Sequence, residues 1–162
     1  MTHIPLDKET FCDQVIRNQD AMFRTAKAIL RQDEDAEDAV QEAICMAYAS
    51  RGSLRDQARF RPWILKILAN KCYELCRKRR TTVDLADVQD FLPAPAEDQA
   101  ERLSLWQAVM ALSDDLRAVV TLFYYEDLPI REISAVLGIS EAAVKTRLSR
   151  GRARLKQLLH EE

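Results

Sequence analysis

The sequence predicts an all-α protein made of two small helical domains joined by an acidic, proline-containing linker. Three observations predict it. The 162 residues include only three glycines and five prolines. Apolar residues recur at helical spacing over long stretches, with no strand-period alternation and no internal repeat. The segment after residue 80 is acidic, carries Pro93 and Pro95, and has too few apolar residues for a core of its own. The expected organisation is a domain over 1–80, a linker over 81–98 and a second domain over 99–162.

The elements follow in order. From Phe11 to Leu30, apolar residues at 11, 15, 16, 22, 23, 26, 29 and 30 form one helical stripe. Asp33-Glu-Asp opens a second helix, where acids suit the positive end of the helix dipole. Its apolar face is Ala36, Ala39, Val40, Ala43, Ile44, Ala47 and Tyr48, and Ser50-Arg-Gly-Ser ends it. A third helix runs from Pro62, well placed in a first turn, to Arg80. Trp63, Ile64, Ile67, Leu68, Cys72 and Leu75 are its inward side, and Arg77-Lys-Arg-Arg closes it where cations suit the dipole. Beyond the linker, helices are expected over Leu103–Leu112 and Asp114–Tyr125. The stretch from Leu128 to Leu155 then reads as a helix, a tight turn at Gly138 and a second helix capped by Ser140. That is a helix-turn-helix, and its second helix carries Lys145, Arg147, Arg150, Arg152 and Arg154, a shape that suits the major groove of duplex DNA.

The net charge of −2 conceals a strong segregation. Asp33 to Glu42 holds six acids and no base; Arg59 to Arg80 holds eight bases against Glu74 alone. Thr81 to Glu101 holds six acids and no base; Ser140 to His160 holds six bases against Glu141. Alternating blocks of opposite sign point to different partners for different parts of the chain.

Several function classes are disfavoured. No apolar run approaches the ~18 residues of a membrane span, and the N-terminus lacks the basic start and apolar core of a signal peptide, so a cytoplasmic protein is expected. The two histidines, His3 and His160, lie near the ends. No nucleophile–base pair, metal-ligand set or phosphate loop is present, so neither catalysis, a cofactor, a metal nor a small-molecule substrate is expected. Cys12, Cys45, Cys72 and Cys76 include no CxxC pair and read as small buried hydrophobes; Cys72 and Cys76 stand four apart on the third helix.

Three segments, in this order and at these gaps, resemble the bacterial sigma-70 family in its smallest, extracytoplasmic-function (ECF) form. They are Asp35-Ala-Glu-Asp-Ala-Val-Gln-Glu42, Phe60 to Arg80, and Glu132 to Leu155. The resemblance covers residues 10 to 160 and implies region 2, a short linker and region 4, with no region 3 domain. It implies a protein that binds core RNA polymerase and directs it to a promoter with minus-35 and minus-10 elements. A protein of this type is commonly held by an anti-sigma protein that covers both domains.

The resemblance also assigns residues. Asp35, Asp38, Gln41 and Glu42 would dock on the beta-prime clamp helices, and the C-terminal domain on the beta flap. Residues 38, 41 and 42 share one helix face. Arg55, Arg59, Arg61, Lys66 and Lys71 supply cations for the minus-10 strand, and Phe60 and Trp63 supply aromatics. Asn70, beneath the Ser53–Arg59 loop, would read a flipped base. Leu54 stands where the family often has an aromatic, leaving apolar contact in place of stacking. On the helix after Ser140, Val144, Leu148 and Leu155 face inward. Thr146, Ser149 and Arg150 are the best-placed base readers, with Lys145 and Arg147 divided between bases and phosphates. Arg152 and Arg154 extend the cationic face. Two rival functions use the same features: a stand-alone helix-turn-helix regulator, which leaves the acidic helix unexplained, and a sigma-mimicking adaptor that binds an anti-sigma protein without touching DNA.

Overall fold

The structure is a computed structural model that describes residues 6–82 and 104–160, excepting the side chains of residues 80–82. Among the described residues there is no strand. The helices are α1 (Lys8–Leu30), α2 (Asp33–Ala49), α3 (Phe60–Thr82), α4 (Leu105–Met110), α5 (Asp114–Val120), α6 (Ile130–Leu137) and α7 (Glu141–His160). The third helix begins two residues before Pro62 and runs two residues past Arg80, into the expected linker; the rest of that linker lies outside the described residues.

The N-terminal helices pack as their stripes predict. Asp7 caps α1 by accepting from the Thr10 N–H at 2.8 Å; that bond holds its carboxyl below the usual carboxylate range. Phe11, Val15, Met22, Ala26, Ile29 and Leu30 are buried along one side of α1. On α2 the inward residues Ala36, Ala39, Ala43 and Ala47 are all fully covered. Such small side chains let α1 and α3 approach closely. Ile64, Leu65, Leu68 and Cys72 of α3 complete this core. Phe11 anchors an aromatic cluster, edge-on to Tyr48 at 5.2 Å and to Phe60 at 5.9 Å.

The C-terminal helices open with a capping box, in which Gln107 N–H donates to Ser104 Oγ and Ser104 N–H to Gln107 Oε1. The helix expected over Asp114–Tyr125 does not stay α throughout. After Val120 it widens into a π turn, Thr121–Tyr125, closed by the Glu126 N–H on Thr121 O at 3.2 Å. Asp127 follows with φ +55°, a left-handed conformation that Asp tolerates better than most residues. Gly138, at φ +70°, ends α6 with its N–H on Ser134 O, and Ser140 Oγ accepts from the Ala143 N–H at 3.0 Å to start α7. Gly151 is where α7 crosses α5, and a Cβ there would lie 2.6 Å from Val120 Cγ2.

The two helical groups are not independent in this structure. One continuous apolar core joins Ile64, Leu65 and Leu68 of α3 with Leu128, Ile133, Val136, Val144 and Leu148. A second, smaller cluster of Val109, Leu112, Val120 and Leu155 lies within the C-terminal group, walled by Trp106 and Tyr125. Between the groups lies the fully buried guanidinium of Arg117. It donates to Ala28 O at 2.6 Å, Leu112 O at 2.9 Å and Asp114 Oδ1 at 2.8 Å. Ala28 O is one of the last carbonyls of α1, which have no partner within their own helix, so α5 caps α1 across the junction. Burial, partly offset by Asp114, lowers the pKa of Arg117.

The cysteines divide. Cys72 is buried, and burial pushes its thiol up to about 12, which makes it unreactive. Cys76 is half-buried, whereas Cys12 and Cys45 are exposed and so do not serve as the core residues expected of them. They lie on the outer faces of α1 and α2, away from the stripes that pack inward.

Candidate nucleic-acid and polymerase interfaces

Helical periodicity places the acidic face of α2. With the alanine stripe turned inward, Asp38, Gln41 and Glu42 stand exposed, while Asp35 is half-buried. Cations of α3 approach from the side: Arg79 Nη2 lies 2.5 Å from Asp35 Oδ2 and Lys71 Nζ 2.7 Å from Glu42 Oε1. The hydrogen bond to Glu42 raises the Lys71 pKa above its ordinary value. Asp35, Asp38 and Glu42 line a groove of about 320 Å³ floored by Leu30 and Leu75 and edged by Lys78 and Arg79. This groove offers carboxylates above an apolar floor, chemistry that suits a cationic, partly apolar helix.

The minus-10 candidates separate into distinct surroundings. Leu54 and Phe60 are 6% and 1% exposed, so the apolar contact and the aromatic surface expected of them belong instead to the core. Phe60 is drawn inward by Phe11 and by Trp63, whose ring lies 5.6 Å away. Trp63 is half-buried, its Nε1–H donating to Ser53 Oγ at 3.3 Å. Arg55 stands exposed. Lys71, one of the cations expected for the minus-10 strand, points to Glu42 of α2 instead.

Arg61, Lys66 and Asn70 lie where α3 meets the C-terminal helices. Arg61 donates from Nε to Asn18 Oδ1 at 3.2 Å and from Nη1 to Glu126 O at 3.1 Å. Lys66 Nζ donates to Ala135 O at 3.0 Å, near the C-terminal end of α6. Arg59 pairs with Glu132 at 3.5 Å. Asn70 is exposed into a cleft of about 460 Å³ that it shares with Tyr73, Arg77, Leu137, Ile139 and Arg147. Burial pushes the Tyr73 phenol up to about 12, keeping it protonated as a donor.

The helix-turn-helix presents its second helix outward. Lys145, Thr146, Ser149, Arg150, Arg152 and Arg154 are exposed along one broad face of α7, while Val144, Leu148 and Leu155 are buried on the other. Arg152 donates to the Tyr124 hydroxyl at 3.1 Å, and Arg154 to Gln157 Oε1 at 3.0 Å. Arg147 differs from its neighbours: it is half-buried and turned into the cleft beside Asn70.

Sequence reasoning missed the residues that join the groups. Arg24 forms a fork on Glu126, Nε to Oε2 and Nη2 to Oε1, both at 2.8 Å. Arg61 Nη1 adds a longer pair to Glu126 Oε1 at 3.6 Å. Glu126 itself has no exposed side-chain surface. Nothing local announces this, because Tyr-Tyr-Glu-Asp after a helix reads as a solvated end and its partner is 102 positions away. The one available signal was the arginine in the otherwise apolar run Leu116-Arg-Ala-Val-Val120.

Comparison with known proteins draws these surfaces together. Residues 15–82 match the family described as Sigma-70 region 2, and residues 102–155 match Sigma-70, region 4. The chain is 31% identical over 159 residues to the ECF RNA polymerase sigma factor SigM of Mycobacterium tuberculosis, covering 97% of this chain and 81% of that one. The chain belongs to the sigma-70 family. It is an ECF-type sigma factor, a binding protein of transcription initiation whose partners are core RNA polymerase and promoter DNA. It is also 29% identical to SigW of Bacillus subtilis over 171 residues, covering 96% of this sigma factor and 91% of the relative. Among solved structures it superposes on the sigma factor RpoE of Bartonella quintana in complex with the anti-sigma factor NepR. The TM-score is 0.78 at 26% identity, over 95% of this chain and 99% of that one. The structure of CnrH with the cytosolic domain of CnrY gives a TM-score of 0.66 at 27% identity, over 96% and 91%. No helix among the described residues is long and apolar enough to cross a membrane.

Proposed function

We propose that this sigma factor docks on core polymerase through Asp35, Asp38, Gln41 and Glu42, and reads a two-part promoter with two separate surfaces. The exposed cationic face of α7 carries the reading, since it is the one DNA-reading surface fully presented in the free chain. Thr146, Ser149 and Arg150 take bases of the minus-35 element in the major groove, and Lys145, Arg152 and Arg154 hold phosphates. Asn70, Arg55, Arg61, Trp63 and Lys66 of the N-terminal part take the melted non-template strand of the minus-10 element. The boundaries that go with this division are 1–80 for the strand-binding and docking part, 81–98 for the linker and 99–162 for the duplex-reading part.

An anti-sigma protein holds the chain until its signal arrives. The whole-chain likeness to a sigma factor solved in complex with an anti-sigma factor supports this. The protein acts by binding alone, and in the cytoplasm, where core polymerase works. Run-off transcription tests the reading. Core polymerase plus this protein should give a transcript from a defined start, lost when the minus-35 or minus-10 sequence is scrambled. An active core that gains no promoter-dependent transcript would refute it.

A further inference from the structure

We propose that the cleft between α3 and the helix-turn-helix is a binding site for a small phosphorylated molecule, whose phosphate is held by Arg77, Arg147, Tyr73 and Asn70. The site needs neither polymerase nor promoter, so it goes beyond the sigma reading and stands or falls apart from it.

The polar groups lining this cleft are ones the fold leaves unused. Elsewhere on this side of the molecule the cations are engaged by protein: Arg59 by Glu132, Arg61 by Asn18 and Glu126, Lys66 by Ala135 O and Lys71 by Glu42. Among the described residues, Arg77 and Arg147 have no carboxylate within ion-pair distance, and neither the Tyr73 hydroxyl nor the Asn70 amide makes a hydrogen bond. Asp115 is the acid that senses Arg147, but its carboxyl is held low first by the Ser113 hydroxyl, at 2.8 Å, and it makes no ion pair with Arg147. Tyr73 and Arg147 are also half-buried. A half-withdrawn guanidinium with no acceptor of its own is ready to take one from a ligand, and hydrogen bonds between charged groups are the strong ones.

Charge and donors specify the ligand. Two guanidinium groups on one cleft balance a dianion rather than a single carboxylate, and each presents a fork of N–H donors that matches phosphate geometry. A phosphate monoester carries about −1.5 to −2 charge at pH 7 and three strong acceptor oxygens. Tyr73 adds a hydroxyl donor: burial pushes its phenol up to about 12, and Arg147 stands close enough to oppose that shift. Asn70 adds an amide donor. Leu137 and Ile139 wall the cleft with apolar surface that suits the carbon part of an organic phosphate. The volume of about 460 Å³ falls in the range of small-molecule sites. A nucleic-acid strand is tracked instead by cations spread along a groove, whereas here both unpaired guanidinium groups line one cleft.

Isothermal titration of the full chain with AMP, and separately with inorganic phosphate, tests this. At least one should bind at a single saturable site. Tighter binding of AMP means that the apolar wall contributes, and equal binding means that the phosphate alone is recognised. Arg77→Gln, at an exposed position, should weaken that binding about tenfold or more, and Tyr73→Phe about threefold, the losses expected for hydrogen bonds to a charged group. Lys156→Gln, exposed on α7 outside the cleft, should leave it unchanged. No binding of either anion overturns the site, and so does binding that Arg77→Gln leaves intact. Equal weakening by Lys156→Gln also overturns it, since the anion is then drawn to the cationic helix at large. A single-stranded oligonucleotide weakened by Arg77→Gln as much as the anion would assign the cleft to DNA and overturn it as well. If Arg77→Gln loses its helical circular dichroism, Tyr73→Phe decides by the same titrations. No polymerase is involved, so the site can fail while the sigma reading stands, and absent promoter-dependent transcription with normal anion binding sinks the sigma reading alone.

Discussion

The outer face of α7 and the facing side of α3 are both cationic, both in helices of 20 or more residues, and both proposed to hold DNA, yet they are presented differently. On α7 the cations stand in solvent, and the helix needs only Ser140 and a buried Val144–Leu148–Leu155 stripe to hold them out. On α3, Arg61 and Lys66 are already bound to the other half of the molecule. The proposed duplex-reading side chains stand open, whereas two of those proposed for the single strand are engaged across the junction.

The largest expected effect concerns the junction. Arg117→Met removes a buried guanidinium and leaves Ala28 O and Leu112 O without their donor, at ~1–3 kcal/mol for each unsatisfied buried group. Urea denaturation should show a loss of about 3 kcal/mol, whereas an unchanged midpoint would mean that water replaces these bonds and the junction is looser than described. Arg150→Ala, on the open surface, should weaken minus-35 duplex binding by about 2 kcal/mol and relax preference at one base pair. A uniform loss across sequences would move Arg150 to the phosphate class instead. Asp38→Lys combined with Gln41→Ala should weaken core polymerase binding about tenfold, near 1.4 kcal/mol, and leave duplex binding by the free chain unchanged. Parallel losses in both assays would break the separation of the docking face from the reading face. The smallest effect belongs to Lys145→Ala. Its signature is a salt slope of duplex binding reduced by about one, with sequence preference intact, measured by anisotropy across a salt series.

The comparison also marks what the sequence made legible. Everything periodic or locally capped could be read: the α1 stripe, the alanine face of α2, the Gly138 turn and the Ser140 cap each depend on residues within a few positions of one another. The exposed cations of α7 could be read for the same reason, because inward Val144 and Leu148 dictate which positions point out. The junction could not. Arg24 with Glu126, Arg61 with Glu126 and Lys66 with Ala135 are separated by 102, 65 and 69 positions, so nothing near either partner in the sequence announces the contact. Lys71 illustrates the ambiguity from the other side. Its place in a basic block suggests DNA, but the neighbouring acidic helix captures it through Glu42. Phe60 shows the limit for aromatics, since its sequence position is equally compatible with stacking on a base and with packing on Phe11.

Titrating a single-stranded minus-10 oligonucleotide and a minus-35 duplex, each against the free chain and against the chain on core polymerase, tests the contrast directly. The promoter is one mapped by sequencing the transcripts of that holoenzyme. Adding core should strengthen single-strand binding, because Arg61 and Lys66 are bound across the junction, and should strengthen duplex binding far less. A free chain that binds the single strand as tightly as the holoenzyme does would contradict the account.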